Sequence, residues 1–372
     1  MDVVLAGADS LWVLRRARSD ATLGLARGVP APAKTRAAEL AAIADALPDG
    51  SRPLGSKTPL DLTYFSRRQR PFLAAVHAVT HLSPVLEDTY LLVTGAGENG
   101  VRLFVEGPAL TLSHMAERLR VAVGHGSLTR TAAFFRLMGL ASELCGTYAR
   151  DPSNPASGDC AWKVDVLCGP EELRRSLSLS LASGVRGVAE ARRVASLVVG
   201  GSASPTESLL AMAMSLPVEL GGVPMPAFLH NEELAWPKGA RQLVNHQTMT
   251  PDFYWPRHAV ALEYDGAVHE DRKNVREDHR RQQDYAACDI ALVTSQADDL
   301  RSAHAIERLM RLVALRLAPC EEPGFMLLVE QALQDSSASS MRTMLLSQLL
   351  PSRPEGREDK KRAPAGDESL HS

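Results

Sequence analysis

The sequence predicts an α/β protein: an α+β amino-terminal domain over residues 1–200, an α/β domain over 201–318, helices over 319–350 and a disordered tail over 351–372. Three observations predict this. Gly200-Gly201-Ser202-Ala203 breaks the chain after two helical patterns. Beyond it, a β-rich block at 242–263, a helical pattern at 274–288, a β-run at 290–294 and a helical pattern at 298–317 follow one another. That alternation is the pattern of a sheet covered by helices. With 372 residues and 45% apolar composition, the chain can fill two cores.

In chain order, residues 2–5 read as a short strand. Residues 37–47 have helical spacing and stop at the turn signal Pro48-Asp49-Gly50. Tyr64 to Pro71 is the densest basic run, with Arg67, Arg68 and Arg70 beside Tyr64 and Phe65. It reads either as a nucleic-acid contact, through phosphate charge and base stacking, or as a solvated loop. The runs 89–94 and 101–106 predict a strand pair around a glycine-rich turn, which lacks the GxGxxG spacing of a nucleotide loop. Helices are predicted over 128–149, 170–181 and 188–199, then over 324–334 and 340–350. Residues 351–372 are charged, rich in Pro and Gly, and have little to bury.

The net charge of −3 excludes a protein that coats nucleic acid through a general basic excess. Any such contact must come from a local patch or be brief. The five cysteines, Cys145, Cys160, Cys168, Cys288 and Cys320, include no CxxC pair. They predict buried reduced thiols rather than a disulfide framework or a structural zinc site. No run of 18 apolar residues occurs, and Asp2 and Asp9 stand where a signal peptide needs positive charge. The expectation is a cytoplasmic protein with no membrane partner.

The informative block runs from Thr250 to His269. Val260, Leu262 and Tyr264 alternate with Ala261, Glu263 and Asp265, so Glu263 and Asp265 share a strand face. A two-residue turn at Arg257-His258 would set Asp252 opposite Glu263, with Cβ atoms about 5 Å apart. Three acids so placed repel unless a cation or proton intervenes. Hard oxygen donors suit Mg2+ or Mn2+, and His269 could act as a base toward an attacking water. Glu207 follows Ser204-Pro205-Thr206, which makes it either a capping-box residue or a further acid reaching the ion. Arg281 is three residues from Asp278 and could pair with it or contact phosphate.

The ordered set Ser204-Pro-Thr-Glu207, Thr250-Pro-Asp252-Phe-Tyr-Trp-Pro, Glu263-Tyr-Asp265-Gly-x-x-His269, Asp278-x-x-Arg281 and Ile290-Ala-Leu-Val-Thr294 resembles the very-short-patch-repair-like endonuclease domains. These are a branch of the restriction-endonuclease-like superfamily. The closest group is a bacterial domain family of unknown function found with abortive-infection-type amino-terminal regions. The resemblance covers residues 200–318 and extends loosely back to Arg70. It implies a mixed central sheet flanked by helices, a metal held by Asp252 and Glu263, and His269 at the site. The superfamily's Glu-x-Lys reads Glu263-Tyr264-Asp265 here, so the usual lysine is absent and Lys273 or His269 would have to substitute. The expected function is hydrolysis of DNA phosphodiester bonds, in a defence or toxin–antitoxin-like setting. The alternatives are a catalytically silent nucleic-acid-binding or regulatory protein on the same scaffold, and a protein partner bound by the amino-terminal domain.

Overall fold

The computed structural model describes residues 1–49, 58–81, 89–97, 100–156, 159–182, 184–234, 236–237, 239–265 and 272–350, with backbone alone at 180–182 and 272–275. His269, the side chain of Lys273 and the tail at 351–372 lie outside the described residues. The architecture is mixed α/β with two four-stranded mixed sheets.

Asp2–Val4 (β1) leads into Gly7–Ser19 (α1), Gly24–Arg27 (β2) and Leu40–Ala46 (α2). Gly7 stands at φ +53°, and its N–H donates to Glu106 Oε2 at 2.9 Å. A Cβ at Gly7 would be both strained and pressed to 3.4 Å from the Asp61 carboxylate. Leu60–Tyr64 (β3) and Val76–Thr80 (β4) pair in parallel. Tyr90–Thr94 (β5) and Arg102–Glu106 (β6) form the expected antiparallel pair. The first sheet has the order β1-β6-β5-β2, with β1 and β6 parallel. Val3, Leu5, Leu14, Ile43, Leu62 and Leu103 form its own apolar cluster.

Pro108–Gly124 (α3) and Arg130–Leu144 (α4) start a helical layer, which Tyr148–Arg150 (β7) and Cys160–Trp162 (β8) interrupt as a small hairpin. Thr129 caps α4 by accepting the Ala132 N–H. Pro170–Ala182 (α5) and Val188–Ala195 (α6) complete the layer. Pro205–Ser215 (α7) follows the Gly200–Ala203 break. Phe135 and Met138 of α4 share one continuous core with Leu209 and Leu210 of α7, so the break is not a gap in packing.

Leu229–His230 (β9), Phe253–Trp255 (β10) and Val260–Asp265 (β11) run antiparallel; Arg272–Ala287 (α8) then crosses to Ala291–Gln296 (β12), which is parallel to β11. The sheet order is β12-β11-β10-β9. Val260 and Leu262 face one apolar cluster, while Ala261 faces another that contains Tyr285 of α8. Ala303–Leu317 (α9) covers the first of these faces through Ile306, Leu309 and Met310. Phe325–Gln334 (α10) and Ser336–Leu349 (α11) follow, and α11 packs back on α4, α7 and α9. The buried Arg342 guanidinium ties α11 to Glu307 of α9 and to the carbonyls of Gly221, Ala332 and Leu333.

Among the described residues no helix is long and apolar enough to cross a membrane. All five cysteines are free; Cys145 and Cys168 are buried as expected, but Cys320 is exposed.

Candidate functional site

The register of β10 on β11 pairs Phe253 with Leu262 and Trp255 with Val260. One step further, Asp252 stands opposite Glu263. The two-residue turn expected at Arg257-His258 is instead a four-residue connection over Pro256–Ala259, with Ala259 at φ +49°. Arg-His has no preference for the positive φ values a tight hairpin turn demands, so the reversal is spread over four residues. The register is the same in either case.

Asp252 is held by its backbone neighbours. Its Oδ2 accepts the Tyr264 N–H at 2.7 Å, and its carbonyl accepts the Asn231 N–H at 3.0 Å. Burial pushes its carboxyl up to about 7, and the nearby charges of Glu207 and Glu263 push the same way. These are the signs of a carboxylate lacking enough counter-charge.

Glu207 combines both readings open to it. The Ser204 hydroxyl accepts the Glu207 N–H at 3.1 Å and donates to Glu207 Oε1 at 2.9 Å. The other oxygen accepts the Ala203 N–H at 2.8 Å and the Asn231 amide at 2.6 Å. The cap thus fixes the carboxylate at the first turn of α7, where its charge bears on Asp252.

Glu263 faces α8. Its Oε1 accepts from Arg281 and, at 2.6 Å, from the Tyr285 hydroxyl. Arg281 therefore pairs with Glu263 rather than with Asp278, because both Arg281 and Tyr285 point from the helix onto the sheet. The Arg281 Nε is buried without a hydrogen-bond partner. Asp265 lies at the exposed end of the same face, with no hydrogen bond to the cluster among the described residues. The structure thus brings Asp252, Glu263, Glu207 and Arg281 together and leaves Asp265 at the rim.

His230 was not legible in the sequence. It stacks on Phe253 with ring centroids 4.5 Å apart, and its Nδ1 lies 2.9 Å from the Gly200 carbonyl. Burial pulls its imidazole down to about 4, so the ring is neutral and donates through Nδ1. Its Nε2 is then a buried lone pair without a partner, 3.9 Å from Glu207 Oε2. Asn231, at φ +53°, was missed for the same reason: both lie in a polar stretch with no periodicity.

Among the described residues no three or more His, Cys, Asp or Glu side chains converge tightly enough to hold a metal ion together. A hard divalent ion needs less, since Mg2+ is commonly held by one or two carboxylates plus water and substrate oxygens. Asp252 and Glu263 fit that requirement. Each uses one carboxylate oxygen for hydrogen bonds, and among the described residues none engages the other. The orphaned His230 Nε2 beside Glu207 is a second place where a positive charge is wanted.

Arg67, Arg68 and Arg70 lie elsewhere, in the turn between β3 and β4, and all three are exposed. Gln69 pins that turn by accepting the Phe65 N–H and donating to the Pro32 carbonyl. Tyr64 is fully buried, so it is not available for base stacking; Phe72 is 96% exposed and is available.

No family model, curated protein or solved structure matches the chain.

Proposed function

We propose that the chain is a divalent-metal-dependent phosphodiesterase acting on DNA, on a restriction-endonuclease-like core formed by α7, β9 to β11, α8 and β12. The observation that supports it most is the opposition of Asp252 and Glu263 at the ends of two paired strands, with the Asp252 carboxyl raised by burial and by neighbouring acids. Acids kept together at such a free-energy cost are characteristic of sites that take a cation. Asp252 and Glu263 would hold Mg2+ or Mn2+, and the ion would polarise a phosphoryl oxygen and acidify a bound water.

The chain's own groups do the rest. Glu207 adds negative charge from α7 without moving, because four hydrogen bonds hold it. Arg281 lies where its guanidinium can turn from Glu263 toward a substrate phosphate. His269 remains the group proposed to handle the proton of the attacking water, with Asp265 a further acid of the same strand face. Cleavage of supercoiled plasmid with Mg2+ or Mn2+ tests the reading. Loss of nicking in Asp252→Asn and Glu263→Gln is expected; equal nicking by these variants would sink it.

A second reading has its own observation. Arg281 and Tyr285 both occupy Glu263 Oε1, and Asp265 replaces the lysine of the resembled motif. A scaffold that binds nucleic acid without cutting would look like this. Calorimetric titration with Mn2+ separates the two, since the silent scaffold takes up no ion.

A further inference from the structure

A cavity of about 570 Å³ lies in the amino-terminal half, away from Asp252. That is within the usual range for a small-molecule site. It opens beside the first turn of α1 and the paired strands β3 and β4. Its lining is of two kinds. Trp12, Val13, Leu47 and Pro59 supply apolar lining, and Asp9, Asp61, His77 and Arg118 supply charged lining.

The charged lining is built rather than incidental. Asp61 and His77 are register partners on β3 and β4. Asp61 Oδ1 lies 2.8 Å from His77 Nδ1, and Asp61 Oδ2 accepts from Arg118 at 2.9 Å. The Asp61 N–H donates to Asp9 Oδ2 at 2.8 Å. Asp61 is only 7% exposed, so both of its oxygens are consumed within the protein. His77 and Arg118 are 62% and 55% exposed at their side chains, so their remaining N–H groups face outward. With Nδ1 engaged by Asp61, His77 keeps Nε2 as the ring nitrogen left for a ligand of the cavity it lines. With Asp61 consumed and Asp9 Oδ2 bonded to the Asp61 N–H, the cavity offers a ligand the remaining N–H groups of a guanidinium, one imidazole nitrogen and a half-buried indole.

We propose that this cavity binds a nucleoside monophosphate, with the phosphate on Arg118 and His77 and the base against Trp12. A phosphate matches the fork of donors on Arg118. It also carries a hydroxyl or an oxygen to meet His77 Nε2 in either protonation state. An aromatic base matches the indole face of Trp12, a sequence-tolerant contact. The site is independent of the Asp252 cluster, so it stands or falls apart from the phosphodiesterase reading.

Titration of the full chain with AMP, GMP, CMP and UMP by calorimetry tests it, with adenosine and inorganic phosphate as the two half-ligands. At least one nucleotide should bind, and at least tenfold more tightly than either half. Arg118→Ala should weaken that nucleotide at least tenfold; because Arg118 is half exposed, the variant should fold, which circular dichroism checks. Asp252→Asn should leave the affinity unchanged. If none of the four nucleotides binds, if inorganic phosphate alone binds as tightly, or if Arg118→Ala binds like wild type, the proposal is overturned.

Discussion

The Tyr285 hydroxyl donates to Glu263 Oε1 at 2.6 Å, and that same oxygen also takes the Arg281 guanidinium. Both donors come from α8, on the sheet face that carries Glu263. One carboxylate oxygen is therefore neutralised from the helix side, while none of the described residues hydrogen-bonds the other. The arrangement places a positive charge beside the proposed cation position, and the two must compete.

Removal of that charge should therefore strengthen ion binding. Arg281→Gln is expected to tighten Mn2+ binding about tenfold, since a unit charge a few ångströms away readily accounts for ~1.4 kcal/mol at a partly exposed site. Plasmid nicking should fall at the same time if Arg281 also serves the substrate phosphate. Calorimetry on the purified variant decides: weaker or unchanged Mn2+ binding contradicts the competition.

The raised carboxyl of Asp252 makes a pH prediction. Its native value is about 7 against an ordinary value of 3.8, so the folded state binds the extra proton between those limits. Stability from this group is present below pH 4 and lost as pH rises through about 7. Asp252→Asn should remove that loss. The variant is expected to melt about 2–4 °C higher than wild type at pH 8 without metal, and to show no such gain at pH 4. Saturating Mg2+ should stabilise wild type and erase the difference. Calorimetric melting at the two pH values checks this; an Asp252→Asn variant less stable than wild type at pH 8 would disprove it.

His246 moves the other way. Hydrogen bonds to Glu277 and Asp284 of α8 raise its pKa, against some burial. Its contribution is thus full below the ordinary value of 6.5 and declines as pH rises through the higher folded value. His246→Gln should destabilise the protein at pH 6 and cost less at pH 9. Urea midpoints at both pH values test it, and an equal loss at each would rule out a charged imidazole.

Much of the site-bearing sheet was legible because its signals are local. The alternation from Val260 to Asp265 fixed which residues share a face, and the acid register followed although the connection is longer than a tight turn. The Ser204 cap and the helical patterns of α8 and α9 were legible for the same reason. Elements defined by distant partners were not. Strands β3 and β4 are short, and β3 is buried on both faces, so no alternation marks it; the basic run after Tyr64 dominated the reading. Helices α1 and α3 carry charge on half-exposed faces and lack strong apolar periodicity. His230 and Asn231 belong to the site only because β9 adds to the sheet edge beside α7.

Arg342 shows how the rest of the chain supports the site. It is fully buried on α11, bonded to Glu307 and to three carbonyls, and α11 packs on α7, whose first turn holds Glu207. Arg342→Met leaves the mostly buried Glu307 without its counter-charge and should cost about 3–5 kcal/mol. Arg342→Met with Glu307→Leu should recover part of that loss, because no unpaired charge remains. Urea denaturation of the single and double variants measures both, and a double variant no more stable than the single would show that the carbonyl contacts, not the ion pair, matter.

The turn carrying Arg67, Arg68 and Arg70 is the basic surface on which the proposed nucleic-acid contact can be tested. Among the described residues no ion pair holds these side chains, and Gln69 fixes the turn that presents them. Phe72, almost wholly exposed, lies 5.9 Å under the Lys34 ammonium. Cations beside a bare aromatic ring suit a single strand whose phosphates and bases are engaged together. Replacing the three arginines with alanine should lower the slope of log K against log salt by about one for each phosphate that an arginine had neutralised. Phe72→Ala should leave the slope intact and weaken single-stranded DNA binding by about 1–3 kcal/mol, the usual worth of one stacked base. Fluorescence anisotropy across a salt series separates the two effects. An unchanged slope in the arginine variant would assign the turn to solvent.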